Sequence, residues 1–268
     1  MTTTLSEQPR GFYEPLGDGM YRPTKHVQGA WRDTEQHMAP VAGLLTAALQ
    51  MHDHREDMQT ARISLEICGV IDLTDTHVET RTLRPGRTIE LVEGEATIGD
   101  RVAIRGRSWR LAHNDTGEVA GHPYDAIPGH EECATVEPFL KSWPGGFIEQ
   151  IDVRAHRDNK PGHGIAWARS DNPLFTDGSA PALAEFLRLA DCANGSVPRT
   201  SPKVWMFPNV DWTAHIFRQP VDTEWLGLEI RQSFSNDGAG LTSSVLHDVE
   251  GPLGKLEQIL TVRPMPKS

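Results

Sequence analysis

The sequence is short of cysteine, of long apolar runs and of positive charge, and each shortage excludes something. Its 268 residues hold three cysteines, Cys68, Cys133 and Cys192. They stand far apart and none forms a C-x-x-C pair, so reduced thiols are expected and structural zinc is not. No apolar run approaches the length needed to span a bilayer, and the mean hydropathy is -0.44. The opening residues, MTTTLSEQPRGFYEP, lack the basic-then-apolar order of a signal peptide, so a cytoplasmic protein with no membrane partner is the default expectation. With 26 Lys and Arg against 37 Asp and Glu, the formal net charge of -11 argues against a nucleic-acid partner. Catalytic signatures are missing too. There is no G-x-S-x-G elbow, no Gly-rich phosphate loop after a strand, and no H-E-x-x-H. The His-bearing stretches MHDHRED, from Met51, and HPYDAIPGHEE, from His122, lack helical ligand spacing, so no metal and no cofactor is expected.

What is present is a helix-then-strands order, found twice. HMAPVAGLLTAALQMH, His37 to His52, is Ala- and Leu-rich and nearly apolar all round, which predicts a buried helix over about 38–51 with Pro40 in its first turn. TARISLEICGVID follows. Ile63, Leu65 and Ile67 alternate with Arg62, Ser64 and Glu66, the period of a half-buried strand. Alternation continues to about His122, broken by the turn signals RPG, IGD and NDTG. In the second half, APALAEFLRLADCANG, Ala180 to Gly195, predicts a second helix over about 180–193, ended by Asn194 and Gly195. Within it, Asp191 and Cys192 read as core packing, because a helix C-terminus disfavours a thiolate. VWMFPNVDWTAHIFRQP, Val204 to Pro220, and the segment from Glu224 to Pro264 read as further strands.

The helices begin alike, APVAGLL at Ala39 and APALAEF at Ala180, and the turns NDTGEVAG and DVEGPLG fall at matching places. A tandem α+β duplication is the simplest reading, with units over 1–135 and 136–268.

These motifs resemble a known family. PNVDWTAHIFRQP followed by EWLGLEIRQSFSNDGAGLTSSVLHDVEGPLGKLEQILTVRP, and GAWRDTEQHMAPVAGLLTAAL in the first half, are similar in order and spacing to the double-hotdog acyl-CoA thioesterases of the thioesterase II and actinobacterial type. The resemblance implies a tandem hotdog, two long helices each wrapped by a curved antiparallel sheet. It implies an acyl-CoA substrate, no cofactor, and a monomer or homodimer. It also implies three catalytic side chains from the second unit. An Asp in the strand after the second helix matches Asp211. A Thr or Ser at the end of the next strand matches Ser233, with Ser235 as the same-face alternative. A Gln in the last strand matches Gln258. Oxyanion donors are implied at His37, Met38 and Ala39, where the family often has His-Gly-Gly-Pro and this chain has His37-Met38-Ala39-Pro40.

The residue types suit thioester hydrolysis. A carboxylate can take a proton from a water held at the carbonyl carbon, Ser and Gln can position it, and unpaired amides at a helix N-terminus can receive the oxyanion. Two other readings stand beside this one. One is an enoyl-CoA hydratase or dehydratase, for which His215 lies on the same strand face as Asp211. The other is a non-catalytic acyl-CoA-binding protein, whose best support is the Met38-Ala39 departure. For Asp211 the plain alternative is a structural carboxylate.

Overall fold

A computed structural model describes residues 9–135 and 143–266. Its strands are β1 (Tyr13–Gly17), β2 (Met20–Pro23), β3 (Met58–Ile67), β4 (Thr76–Arg84), β5 (Ile89–Ile98), β6 (Arg101–Ala112), β7 (Ala134–Thr135), β8 (Asp152–Ala155), β9 (His163–Arg169), β10 (Trp205–Met206), β11 (Asp211–Ile216), β12 (Leu226–Phe234), β13 (Ala239–Asp248), β14 (Gly251–Thr261) and β15 (Arg263–Pro264). Thirteen of them form one sheet in the order β1-β2-β4-β5-β6-β3-β11-β14-β13-β12-β9-β8-β7. Neighbouring strands in it pair antiparallel. Strands β1 to β6 lie together at one end, and β7 to β9 with β11 to β14 at the other. The halves join where β3 pairs β11, with Leu65 opposite Trp212 and Ile63 opposite Ala214. All four side chains are fully buried, so the join is part of the core.

Helix α1 (Met38–Met51) is buried from Met38 to Leu49, as its all-round apolar sequence predicts. It lies against β3 to β6 and against a short helix at Ala182–Leu187. Its C-terminus needs partners for its last carbonyls. The buried Arg110 guanidinium supplies them, donating to the carbonyls of Leu49 and His52 while pairing with Glu90 at 2.9 Å.

The second long helix expected over 180–193 is not continuous. A six-residue helix, Ala182–Leu187, gives way to a 3-10 turn at Ala190–Cys192 and a further turn at Ala193–Ser196. Leu189, at φ -107 and ψ -11, keeps a right-handed helical backbone but opens it out, and the run passes from α to 3-10 there. Side chains then hold the broken form. Asn194 donates to the Phe207 carbonyl at 2.9 Å, and Ser196 donates to the Cys192 carbonyl at 2.8 Å. A run of good helix formers was legible in sequence; the tertiary Asn194–Phe207 hydrogen bond was not.

Gly43 sets how closely α1 approaches the second half. A Cβ there would lie 2.8 Å from Cβ of Arg188 and 3.0 Å from Leu174 Cδ1. In an exposed helix, Gly→Ala stabilises by about 1 kcal/mol. Here overpacking of roughly 1–3 kcal/mol opposes that gain. Gly43→Ala should therefore lower the melting temperature, read by thermal unfolding; a rise would show that the two helices separate at no cost.

Candidate active site

Gln258 is the inward residue of β14 between Leu256 and Leu260, and all three are buried. A buried amide among leucines needs a partner. Its Nε2 donates to Asp191 Oδ1 at 2.7 Å. Asn209, just before β11, donates to the same oxygen at 2.9 Å and to the Asp211 carbonyl at 3.1 Å. One carboxylate oxygen of Asp191 is thus held by two amides. The other, Oδ2, has no hydrogen-bond donor among the described residues and lies 3.9 Å from His37 Nδ1. Gln258 Oε1 is sealed from solvent with no partner among the described residues, a cost accepted in orienting Nε2.

Asp191, Asn209, His37 and Met38 line a cavity of about 160 Å³, which Trp31 and Trp143 also wall. The two indoles meet edge to face, 4.8 Å between centroids. Burial pushes the Asp191 carboxyl up to about 7, against the opposing pull of the hydrogen bonds from Asn209 and Gln258. Burial lowers the His37 imidazole to about 3 and raises the Cys192 thiol to about 12. At neutral pH the site therefore holds a neutral imidazole, a protonated thiol and a carboxyl near its midpoint. Of the three, only Asp191 titrates near neutrality.

At the start of α1, His37 is the N-cap. Its Nδ1 accepts from the Ala39 N–H at 3.1 Å, and its ring stacks on Phe147 at 4.2 Å. This corrects the expectation for two of the three amides: the His37 N–H donates to the Val27 carbonyl at 2.7 Å and the Ala39 N–H to His37 itself, so neither is free for substrate. Pro40 has no N–H. The Met38 amide is the first-turn donor with no acceptor among the described residues.

Of the expected catalytic trio, only Gln258 reaches this place. In β11, Trp212, Ala214 and Ile216 face the core, so Asp211, Thr213 and His215 face the other way. Asp211 Oδ1 accepts from the Ile259 N–H at 2.6 Å, so its carboxylate completes the β11–β14 edge. Ser233 is exposed on β12, one residue from the inward Gln232. Ser235 lies exposed in the following turn, bonded to Asp237 and the Ala239 carbonyl. The reason is the two-residue period of a strand. Trp212 and Gln232 take the inner positions, so their neighbours cannot. Sequence reasoning missed Asp191 and Asn209. The signal for Asp191 was a carboxylate within LRLADCANG, in a run buried from Leu187 to Asn194. No cluster of metal-ligating side chains occurs among the described residues.

The chain matches two family models, the acyl-CoA thioesterase N-terminal domain over residues 27–111 and the acyl-CoA thioesterase C-terminal domain over residues 130–262. None of the curated proteins compared with it matches. Among solved structures, a conserved hot dog fold protein of unknown function from Alicyclobacillus acidocaldarius is similar over 100% of both chains at 13% identity, with a TM-score of 0.73. A protein assigned as a thioesterase II from Thermobifida fusca YX is similar over 94% of this chain and 95% of its own, at 20% identity and a TM-score of 0.71. The dehydratase domain of PpsC from Mycobacterium tuberculosis, solved in complex with C12:1-CoA, is similar over 95% of this chain and 98% of its own, at 14% identity and a TM-score of 0.56. At these identities the likeness is one of fold.

Asp211 supplies a test of the site's boundaries. Asp211→Ala leaves the Ile259 amide to water, which should cost about 1 kcal/mol and lower the melting temperature by about 2–4 °C. Catalysis per folded molecule should be unchanged. An inactive but stable Asp211→Ala protein would place the chemistry on the other face of the sheet.

Proposed function

The chain belongs to the acyl-CoA thioesterase family, and on that premise we propose that it hydrolyses the thioester of an acyl-CoA, with Asp191 as the base that activates water. The observation that carries this reading is the Asp191 carboxylate: one oxygen clamped by Asn209 and Gln258, the other open to the cavity, and a pKa near 7. A general base works best when its pKa lies near the working pH. In the proposed step, Oδ2 takes a proton from water as the water oxygen bonds to the thioester carbon. The carbonyl oxygen becomes an oxyanion facing the Met38 amide at the positive end of α1. When the C–S bond breaks, the proton on Asp191 passes to the departing sulfur. The products are the carboxylic acid and the CoA thiol, and the base is restored.

Cavity size argues for a small acyl group. About 160 Å³ compares with the roughly 150 Å³ of a cavity known to accept benzene. A short-chain or single-ring acyl fills that volume. In a panel of acyl-CoAs from acetyl to palmitoyl, with benzoyl included, kcat/KM should peak at about six carbons. Trp31→Ala should shift the optimum upward. A palmitoyl optimum in the unchanged protein would show that the chain lies elsewhere.

Hydration of an enoyl-CoA is the second reading, favoured by His37 and Asp191 meeting from opposite halves of the chain at 3.9 Å. It needs a second titrating group. His37 Nδ1 already holds the Ala39 amide and the ring stays neutral, which favours hydrolysis. Release of free CoA, against loss of enoyl absorbance, separates the two.

The pH dependence follows from Asp191. Activity should rise with pH through about 7 as the carboxyl ionises, then level off. Asp191→Asn should cut kcat by roughly 10²–10⁴-fold and remove the acid limb. Stability runs the other way. A carboxyl raised above its ordinary 3.8 stabilises the fold fully below that pH, and the contribution is lost as pH rises through about 7. Asp191→Asn should therefore unfold at a higher temperature than the unchanged protein at pH 8, with the gap closing near pH 4. Full turnover by a folded Asp191→Asn protein would remove Asp191 from the chemistry.

A further inference from the structure

His37 is a poor choice for an N-cap. Ser, Thr, Asp and Asn cap better, and all four are smaller and need less burial. A histidine at this position calls for a second job. Its Nδ1 accepts from the Ala39 N–H at 3.1 Å, so the lone pair of that nitrogen is committed. In a neutral ring the hydrogen must then sit on Nε2. Stacking on Phe147 at 4.2 Å fixes the ring plane. Nε2 has no acceptor among the described residues, yet it is not among the buried polar atoms left unpaired, and the residue lines the cavity beside Met38 and Asp191.

We propose that the His37 imidazole, locked by its own helix as the Nε2–H tautomer, is a second oxyanion donor that acts with the Met38 amide on the thioester oxygen. The proposal rests on the hydrolase reading and adds a catalytic residue to it. It also accounts for the 3.9 Å separation of Nδ1 and Asp191 Oδ2. Nδ1 carries no hydrogen, so the two do not bond and Oδ2 stays free for water. Burial holds the ring neutral; an imidazolium there would pair with the carboxylate and quench the base. A neutral imidazole suits a charge that develops only in the transition state, since it donates without attracting the ground-state carboxylate.

Two substitutions separate the cap from the donor. His37→Ser keeps a capping oxygen but has nothing at the Nε2 position. His37→Gln places an amide N–H near Nε2 and gives up the cap. Loss of one oxyanion donor costs about 10²–10³-fold in kcat. His37→Ser should show that loss with KM little changed, a near-normal melting temperature and an unmoved acid limb near pH 7. His37→Gln should melt lower yet recover part of kcat per folded molecule. His37→Asn, also a good cap, replaces Ser if that variant fails to fold. A capped, folded variant with kcat within about threefold of the unchanged protein overturns the proposal, and so does a Gln variant no faster than Ser. Asp191→Asn is measured alongside. Retained turnover there sinks the hydrolase reading and this proposal with it. Lost turnover there, with full turnover in His37→Ser, sinks this proposal alone.

Discussion

Everything in the candidate site depends on keeping one carboxylate out of water. Burying an unpaired Asp is costly, and the protein offsets the cost only in part. Asn209 and Gln258 each donate to Oδ1, but no cation neutralises Asp191 among the described residues. Full compensation, such as a salt bridge to arginine, would pull the carboxyl well below neutrality and leave a weak base. Partial compensation leaves it near 7. The price is visible elsewhere too, in the sealed and unpartnered Oε1 of Gln258 and in the turn at Ala190–Cys192 that carries Asp191 where a continuous helix was expected.

The site needs both halves of the chain. His37 and Met38 come from the start of α1, while Asp191, Asn209 and Gln258 come from the second half. What holds the halves in register is the buried β3–β11 pairing, with Trp212 and Leu65 opposite one another in the core, together with the close approach at Gly43. Small changes at either place would move the first-turn amide of α1 relative to the carboxylate. Effects of that kind are large, because catalysis by positioned groups is sensitive to displacements of about 1 Å.

How much of this was legible in the sequence depends on which interactions are local. The α1 helix was readable because its apolar residues run on nearly unbroken, and Met38 to Leu49 are all buried. The strands were readable from their two-residue period. Gln258 was found because it matches the Gln that the resemblance puts in the last strand. Asp211 and Ser233 misled for the same periodic reason: each neighbours an inward residue, and a shift of one position reverses the face. Asp191 was passed over because a carboxylate at the end of an apolar helix has an ordinary structural reading. What marks it out is contact with Asn209 and Gln258, 18 and 67 residues away, and spacing alone does not bring those together. The change from α to 3-10 after Leu189 was hidden likewise, since the Asn194–Phe207 hydrogen bond nearby joins residues that spacing alone does not bring together.

The central claim is that Asp191 stays a carboxyl poised near neutrality, so its own titration is the most direct measurement. Side-chain carbon NMR of the folded protein, labelled at aspartate, follows each carboxyl with pH, and the resonance missing from Asp191→Asn identifies the one that matters. A midpoint near 7 is the result expected here. A midpoint near the ordinary 3.8 would mean that the carboxylate is solvated or paired in solution, and it would contradict the account.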